Sequence, residues 1–185
     1  MKLELLKVEE KKKVENELWN ILCEINYEFV PPLSSRNSTT TMFNKKVKTK
    51  VVDTDEPKAY FETFFKQEII VSRKKSNNQV IGFMSFIPNH SISIDNETIV
   101  CHYISTIGVT KGERGNGITN QFYKIIEDIA KQQGASSIAT RTWNANTTHL
   151  KILSNIGFIP HIIENDRGMG IHTVYLVKQI INENK

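Results

Sequence analysis

The sequence contains few of the features that mark a membrane, secreted or metal-binding protein. Its 185 residues include 2 cysteines, Cys23 and Cys101, without metal or redox spacing. A membrane span needs about 20 consecutive apolar residues, and apolar runs such as Ile69–Val71 are far shorter. The opening segment, Met1–Lys7, is charged and lacks an apolar signal region. We therefore expect a soluble, cytoplasmic protein with free thiols and no membrane association, although a long-range disulfide stays open.

The sequence also lacks a strong excess of one sign of charge and any cluster of histidines. The 24 Lys and Arg against 20 Asp and Glu give a net charge of +4, which does not indicate a nucleic-acid partner. The one basic run, Lys45–Lys50, is typical of a solvated loop. The 5 histidines are scattered without zinc spacing, so we expect no metal. At about 100–200 residues per domain, the length predicts a single domain over residues 1–185.

Apolar periodicity predicts the element order β-α-α-β-β-β-α-β-α-β-β. The spacing of Val14, Leu18, Ile21, Leu22 and Ile25 indicates one buried helical face. Residues 33–52, rich in Ser, Thr, Asn and Lys, predict a mobile loop. The remaining elements are a helix from near Pro57, a hairpin of Gln67–Arg73 and Gln79–Ile87, a strand over about Thr98–Val109, a helix from Ile118, a strand Ser137–Thr142, a helix Thr147–Asn155, and closing strands Phe158–Ile163 and His172–Lys178.

Glycine is concentrated at one place. Four of the nine glycines, Gly108, Gly112, Gly115 and Gly117, fall within ten consecutive residues between a strand and an amphipathic helix. Free N–H groups and the positive helix end favour a phosphate or pyrophosphate there. A Walker loop would need Lys and Ser/Thr after the last glycine, and a dinucleotide fingerprint would need glycine at Asn120. Another nucleotide site and a simple tight turn stay open.

Two motifs resemble the GNAT N-acetyltransferase superfamily. The segment Arg114–Thr119 resembles its R/Q-x-x-G-x-G/A acyl-CoA loop. Asn146, followed eleven residues later by Gly157-Phe158, resembles its strand-Asn-helix-Gly-Phe segment. The resemblance covers nearly the whole chain and is strongest from Gln79 to Lys178. It implies a single GNAT domain with an α/β (α+β) fold, in which about four helices flank a mixed, mainly antiparallel sheet of about six to seven strands.

The resemblance also implies acetyl-CoA as cosubstrate and direct acetyl transfer to a primary amine of a small molecule. Ile107 and Val109 would offer backbone groups to the pantetheine arm, which lies beside the strand. A backbone N–H in this stretch would also polarise the thioester carbonyl. Asn146 would hydrogen-bond the pantetheine amides. The pyrophosphate would be held by main-chain N–H groups of Arg114, Gly115, Asn116, Gly117, Ile118 and Thr119.

Two positions depart from the family pattern. Thr119 stands where the family usually has Gly or Ala. Leu153, seven residues after Asn146, stands where many relatives carry a tyrosine that protonates the departing thiolate. A thiol of pKa about 8.5 leaves without much help, so the general acid is unassigned, with Ser154 and Tyr123 both open. Leu153 also keeps open a second function, a non-catalytic acyl-CoA binding or sensing module.

Candidates for the base and for acceptor contacts come from nearby segments. His102 is the candidate base, because histidine has a suitable pKa range, although a purely packing role for it is open. Tyr103, on the opposite face of the same strand, is a candidate substrate-pocket or relay residue. Arg141 and Arg167 border the acceptor pocket in the resembled fold and would clamp a carboxylate. Each arginine equally fits an ordinary surface role. Relatives are often dimers, so a homodimer is also expected.

Overall fold

A computed structural model describes residues 1–40, 55–94, 96–168 and 170–181, without the side chains of 162–168. Its helices and strands are, in order, β1 Lys2–Leu5, α1 Val8–Lys11, α2 Glu15–Ile25, α3 Lys58–Phe64, β2 Glu68–Arg73, β3 Val80–Ile94, β4 Glu97–Val109, α4 Ile118–Gln132, β5 Ser137–Trp143, α5 Thr147–Asn155, β6 Ile159–Gly168 and β7 Ile171–Gln179. Short 3-10 turns lie at Lys12–Val14, Asn26–Glu28, Leu33–Ser35 and Lys111–Glu113.

The seven strands form one sheet in the order β1-β2-β3-β4-β5-β7-β6. The predicted hairpin is the antiparallel pair β2–β3, with Glu68 opposite Phe86. β4 and β5 pair in parallel, with His102 opposite Ile138, so α4 lies in the strand-helix-strand crossover that connects them. β7 pairs antiparallel with both β5 and β6. The predicted mixed α/β fold is confirmed, and the element order agrees with the prediction except for the short helix α1, which was not predicted. β3 extends beyond its expected end at Ile87 to Ile94.

The chain divides into two compact units. Of the described residues, 1–40, 55–86 and 105–122 belong to the first, and 87–94, 96–104, 123–168 and 170–181 belong to the second. In the first unit the predicted helical face is buried, because Leu18, Leu22 and Ile25 of α2 pack into a core with Phe64 and Phe83. Apolar residues at this spacing share one helix face, so the local pattern accounts for how α2 packs.

The second unit has its own core. Ile92 and Ile94 from the extended end of β3 pack with Tyr103, Ala139 and Tyr175. Each of these residues is less than a tenth exposed. The extension of β3 therefore covers apolar side chains of the sheet that would otherwise face solvent. Both cysteines are free, as predicted.

Residues 33–40, the described part of the predicted loop, are packed. Leu33–Ser35 form a 3-10 turn, and Leu33, Arg36 and Thr39 are buried. The Arg36 guanidinium donates to the carbonyl oxygen of Pro31 through Nε at 3.0 Å and Nη2 at 2.8 Å. Composition alone predicted that this segment is mobile, whereas these contacts hold its described part, residues 33–40, against the protein. The rest of that loop, with the basic run Lys45–Lys50, lies outside the described residues.

Candidate functional site

The glycine-rich loop joins β4 to α4 in the first unit. Gly115 and Gly117 have φ values of +79° and +72°, in the left-handed region that favours glycine. A Cβ atom added at either position would meet nothing within 4 Å. The loop therefore needs glycine for its backbone conformation, and the space around both residues is open enough for an anion to approach the main chain.

The start of α4 faces the same open space. The N–H of Gln121 donates to the carbonyl oxygen of Gly117 at 3.2 Å, so Gly117 directly precedes the first helical turn. The N–H groups of Ile118, Thr119 and Asn120 consequently have no acceptor within the helix. Gly115 to Gly117 are exposed. Free N–H groups and the positive helix end together suit a phosphate or pyrophosphate.

Arg114, the first residue of the predicted phosphate motif, turns back toward the strand. Its Nε donates to the carbonyl oxygen of Val109 at 3.1 Å, and its Nη2 donates to Oε1 of Glu28 at 2.9 Å. Its main-chain N–H donates to the carbonyl oxygen of Lys111 at 3.4 Å. The main-chain N–H of Arg114, which was predicted to bind the anion, thus already donates to a group within the protein. The main-chain N–H groups of Gly115 to Thr119 are therefore better placed as donors to an anion.

The end of β4 packs tightly on the core beneath it. A Cβ atom at Gly108 would lie 2.7 Å from Cδ1 of Ile25 and 3.0 Å from the ring of Phe83. Ile107 and Val109 are half-buried, and alternation along the strand turns their side chains away from this contact. Their predicted role depends on backbone groups and stays a prediction.

A buried hydroxyl network that the sequence did not reveal lies on the same strand. Ser105 Oγ donates to Oε1 of Gln67 at 2.5 Å and is 2.8 Å from Oγ of Ser85. Thr106 Oγ1 lies 2.7 Å from the hydroxyl of Tyr60. In the sequence, this network could have been recognised only from the presence of Ser and Thr within otherwise apolar strands. These bonds satisfy buried polar groups and hold β4 in place just before Ile107.

In the second unit, Asn146 caps α5. Its Oδ1 accepts from the N–H of His149 at 3.4 Å, and its Nδ2 donates to Oγ1 of Thr142 at 3.0 Å. A carboxamide has two donor hydrogens and two acceptor lone pairs. One of each therefore remains for a ligand. The following motif residue, Phe158, is buried with its ring 5.6 Å from that of Tyr123, consistent with the structural role expected for Gly157-Phe158.

Leu153 is fully buried in α5, and the same unit contains a hydrogen-bonded polar pair, Tyr123 with His149. The Tyr123 hydroxyl lies 2.7 Å from Nε2 of His149. Burial lowers the pKa of His149 to about 4 and raises the pKa of Tyr123 far above its usual range. Both groups are therefore neutral at neutral pH. A tyrosine with so high a pKa is a poor proton donor to a thiolate, and the other open candidate, Ser154, is exposed.

His102, the predicted base, and Tyr103, the predicted substrate-pocket or relay residue, are both packed side chains. His102 is 1% exposed, and its Nε2 lies 2.7 Å from Oε1 of Gln133, just after α4. Tyr103 is buried in the core of the second unit, with its ring 5.1 Å from that of His90. The contacts lie on opposite faces of the strand, as alternation predicts. A role in proton transfer for either residue stays a prediction.

The predicted acceptor residues are described only in part. Arg141 Nη1 donates to the hydroxyl of Tyr175 at 3.5 Å. Burial, followed by the positive charge of Arg141, lowers the pKa of His90, so an uncharged imidazole lies near this guanidinium. The side chain of Arg167 lies outside the described residues, although its backbone belongs to β6. The predicted clamp of Arg141 with Arg167 therefore stays a prediction.

Within the described ranges, no three His, Cys, Asp or Glu side chains are grouped as a metal site requires. None of the helices described there is long and apolar enough to cross a membrane.

Residues 37–158, more than half of the chain, match the family model described as the acetyltransferase (GNAT) family. This range contains the glycine-rich loop, Asn146 and Phe158. A comparison with curated protein sequences finds no match.

Solved structures share the fold. An aminoglycoside 6'-N-acetyltransferase complexed with coenzyme A aligns with a TM-score of 0.66 and 11% identity over 100% of both chains. An N-acetyltransferase from Staphylococcus aureus Mu50 aligns with a TM-score of 0.61 and 17% identity, over 97% of this chain and 98% of that one. A Bacillus anthracis protein, assigned as a streptothricin acetyltransferase and complexed with acetyl coenzyme A, aligns with a TM-score of 0.51 and 22% identity. That alignment covers 62% of this chain and 63% of that one.

Proposed function

We propose that this chain, which belongs to the acetyltransferase (GNAT) family, binds acetyl-CoA at the β4–α4 loop and acetylates a primary amine of a small molecule. The observation that carries the proposal is the start of α4, where three N–H groups lack helical acceptors directly after an exposed segment with two glycines of positive φ. Solved structures of the same fold hold acetyl-CoA or CoA. We propose one GNAT domain over residues 1–185, since the family match includes parts of both compact units.

The pyrophosphate of acetyl-CoA is assigned to the main-chain donors of Gly115 to Thr119. Their N–H groups are preformed by the helix start, so binding an anion there requires little reorganisation of the protein. The side chain of Thr119 adds a hydroxyl at the same turn. The backbone groups of Ile107 and Val109, and the remaining donor and acceptor of Asn146, are assigned to the amides of pantetheine.

Acetyl-CoA supplies a thioester whose carbonyl carbon is attacked by the amine, forming an amide bond and releasing CoA as a thiolate. The chain's contribution is to orient the thioester, donate a backbone N–H to the developing oxyanion near Ile107, and receive the proton lost by the ammonium. His102 and Tyr103 are retained as proposed participants in that proton transfer. No side chain is assigned as acid, because a thiol of pKa about 8.5 is an adequate leaving group.

The proposed acceptor is a small amine, with Arg141 and Arg167 suited to a carboxylate on it. A guanidinium binds a carboxylate through two parallel hydrogen bonds, and Arg141 is only partly buried. A cytoplasmic location and a homodimer stay predictions.

Calorimetric titration with acetyl-CoA, CoA, ATP and NAD tests the cofactor first. We expect binding of the two CoA species alone, because the loop lacks the Walker and dinucleotide patterns. Equal binding of ATP, or no binding of CoA, would refute the proposal. Release of free CoA is then measured with a panel of amines, beginning with an aminoglycoside, streptothricin and phosphinothricin, the substrates named for structural neighbours.

One observation favours a second candidate function, a non-catalytic acyl-CoA sensor. Leu153 is apolar and fully buried where many relatives carry the acid tyrosine. A sensor would bind acetyl-CoA tightly and release no CoA with any amine of the panel. Amine-dependent release of CoA would exclude it.

A further inference from the structure

Two glutamates near the end of α2 lie against the glycine-rich loop. Glu24 is in the last turn of α2, and Glu28 ends the 3-10 turn Asn26–Glu28 that follows. Oε1 of Glu24 accepts from the main-chain N–H of Lys111 at 2.8 Å. Oε1 of Glu28 accepts from Nη2 of Arg114 at 2.9 Å. Both carboxylates therefore contact the segment that follows β4.

Local helix energetics do not favour these positions. Like charges four residues apart on a helical segment repel each other. A carboxylate near the C-terminal end of a helix also meets the negative end of its dipole. Glu24 and Glu28 carry both disadvantages, so their hydrogen bonds to the loop are the compensating interactions. A local preference overridden in this way is typical of a functional region.

Arg114 connects the two sides of this contact. Its Nε is bonded to the carbonyl oxygen of Val109, the last residue of β4, and its Nη2 to Glu28. A guanidinium presents these donors in a fixed planar fork. A lysine carries the same charge without the fork, so it cannot hold both acceptors in the same geometry.

We propose that Glu24, Glu28 and Arg114 form a brace that positions the loop for its anion, and that Arg114 acts through its fork as a positioning residue. The brace occupies the N–H of Lys111 and two donor atoms of the guanidinium, Nε and Nη2, and the donors of Gly115 to Thr119 then set where the pyrophosphate lies. The identity of that anion rests on the proposed function, whereas the brace itself is present in the free protein.

The first test measures the Kd of CoA by calorimetry at several salt concentrations for Arg114→Lys, Arg114→Gln, Glu28→Ala and Glu28→Gln. We expect Arg114→Lys and Arg114→Gln each to weaken CoA binding by about 3- to 10-fold, the range of a modest exposed interaction. Glu28→Ala should weaken CoA binding to the same extent. Glu28→Gln should weaken it less, because the amide oxygen of glutamine can still accept a hydrogen bond from Arg114. The double variant Glu28→Ala/Arg114→Gln should bind no more weakly than Arg114→Gln alone, because Arg114→Gln already removes the interaction with Glu28.

A guanidinium that contacts the phosphates by charge would give another result. Arg114→Lys would then keep the wild-type Kd, and Arg114→Gln would show a shallower salt dependence. Either result overturns the proposal. Lys131→Ala is the matched control, since it removes an exposed ion pair with Glu127 at the other end of α4, and we expect its Kd to equal that of the wild type.

Hydrogen exchange of the free protein separates the brace from the cofactor assignment. We expect faster exchange of the loop amides, from Lys111 to Gly117, in Arg114→Lys and Glu28→Ala, and unchanged exchange in Lys131→Ala. Wild-type protein that fails to bind CoA would refute the proposed function, and the exchange data would still decide the brace. Unchanged exchange of the loop amides in both Arg114→Lys and Glu28→Ala would overturn the proposed brace.

Discussion

The main-chain N–H of Gln121 donates to the carbonyl oxygen of Gly117 at 3.2 Å, and this bond marks where α4 begins. It leaves the N–H groups of the first turn without helical acceptors. Gly117 itself has a φ of +72°. Gly117 thus provides the left-handed turn and is also the residue against which an anion at the helix start would lie.

Gly117→Glu should abolish CoA binding. A side chain at this φ is strained, and a carboxylate at the helix start repels a phosphate from the N–H groups. Calorimetry and thermal stability are measured together to separate lost binding from lost folding. Gly112→Ala is the control, because an added Cβ there meets nothing within 4 Å and its φ lies outside the left-handed region. Wild-type CoA affinity in Gly117→Glu would refute the loop assignment.

Gly108→Ala should destabilise the protein by about 1–3 kcal/mol, the cost of overpacking a core. The new Cβ would lie 2.7 Å from Cδ1 of Ile25. Urea unfolding measures the change in the free energy of unfolding. Ile25→Val deletes the clashing methyl group, so Gly108→Ala/Ile25→Val should recover part of the loss. If Gly108→Ala alone matches the wild type, the packing described beneath β4 is wrong.

If the general acid is simply missing and protonation of the thiolate limits the reaction, Leu153→Tyr should raise turnover with any amine that the wild type acetylates, by up to about 100-fold, the lower range of general acid catalysis. Leu153 is fully buried, so the larger ring also costs stability. Leu153→Phe introduces the same bulk without the hydroxyl, and we expect it to leave turnover unimproved. Equal turnover in both variants and the wild type would mean that protonation of the thiolate does not limit the reaction.

The stability of the protein should fall as pH drops from about 6.5 to about 4. Burial lowers the pKa of His149 to about 4, below the value near 6.5 in an unfolded chain. The unfolded state then binds the proton first, so this contribution is present above pH 6.5 and is lost as pH falls through the folded pKa. We expect His149 to account for roughly 2–3 kcal/mol of that loss.

Urea unfolding at pH 7.5, 5.5 and 4.5 measures this dependence. His149→Gln keeps a side-chain amide opposite the Tyr123 hydroxyl and cannot titrate, so the decrease should be smaller in the variant. An identical pH dependence in His149→Gln and the wild type would show that His149 is not held neutral by its surroundings.

Local sequence patterns were sufficient to predict much of the fold. The apolar residues of α2 recur with helical spacing, and the resulting face is buried. The glycine cluster predicted an unusual turn before a helix, and Gly115 and Gly117 have positive φ. Asn146 precedes α5 and caps it, as residues of this type commonly do. These outcomes depend on neighbours within a few residues, which is why periodicity and residue type reveal them.

The sequence by itself determined most of the element order, the family resemblance and the position of the glycine-rich loop, because backbone geometry and helix faces are short-range properties. Tertiary structure decided which side chains meet. Arg114 contacts Glu28, 86 residues away; Ser105 contacts Gln67, 38 residues away; and His102 contacts Gln133. No local period encodes such pairs, since they arise only when strand order and helix packing bring distant segments together. The residues that contact the glycine-rich loop could therefore be identified only from the tertiary structure.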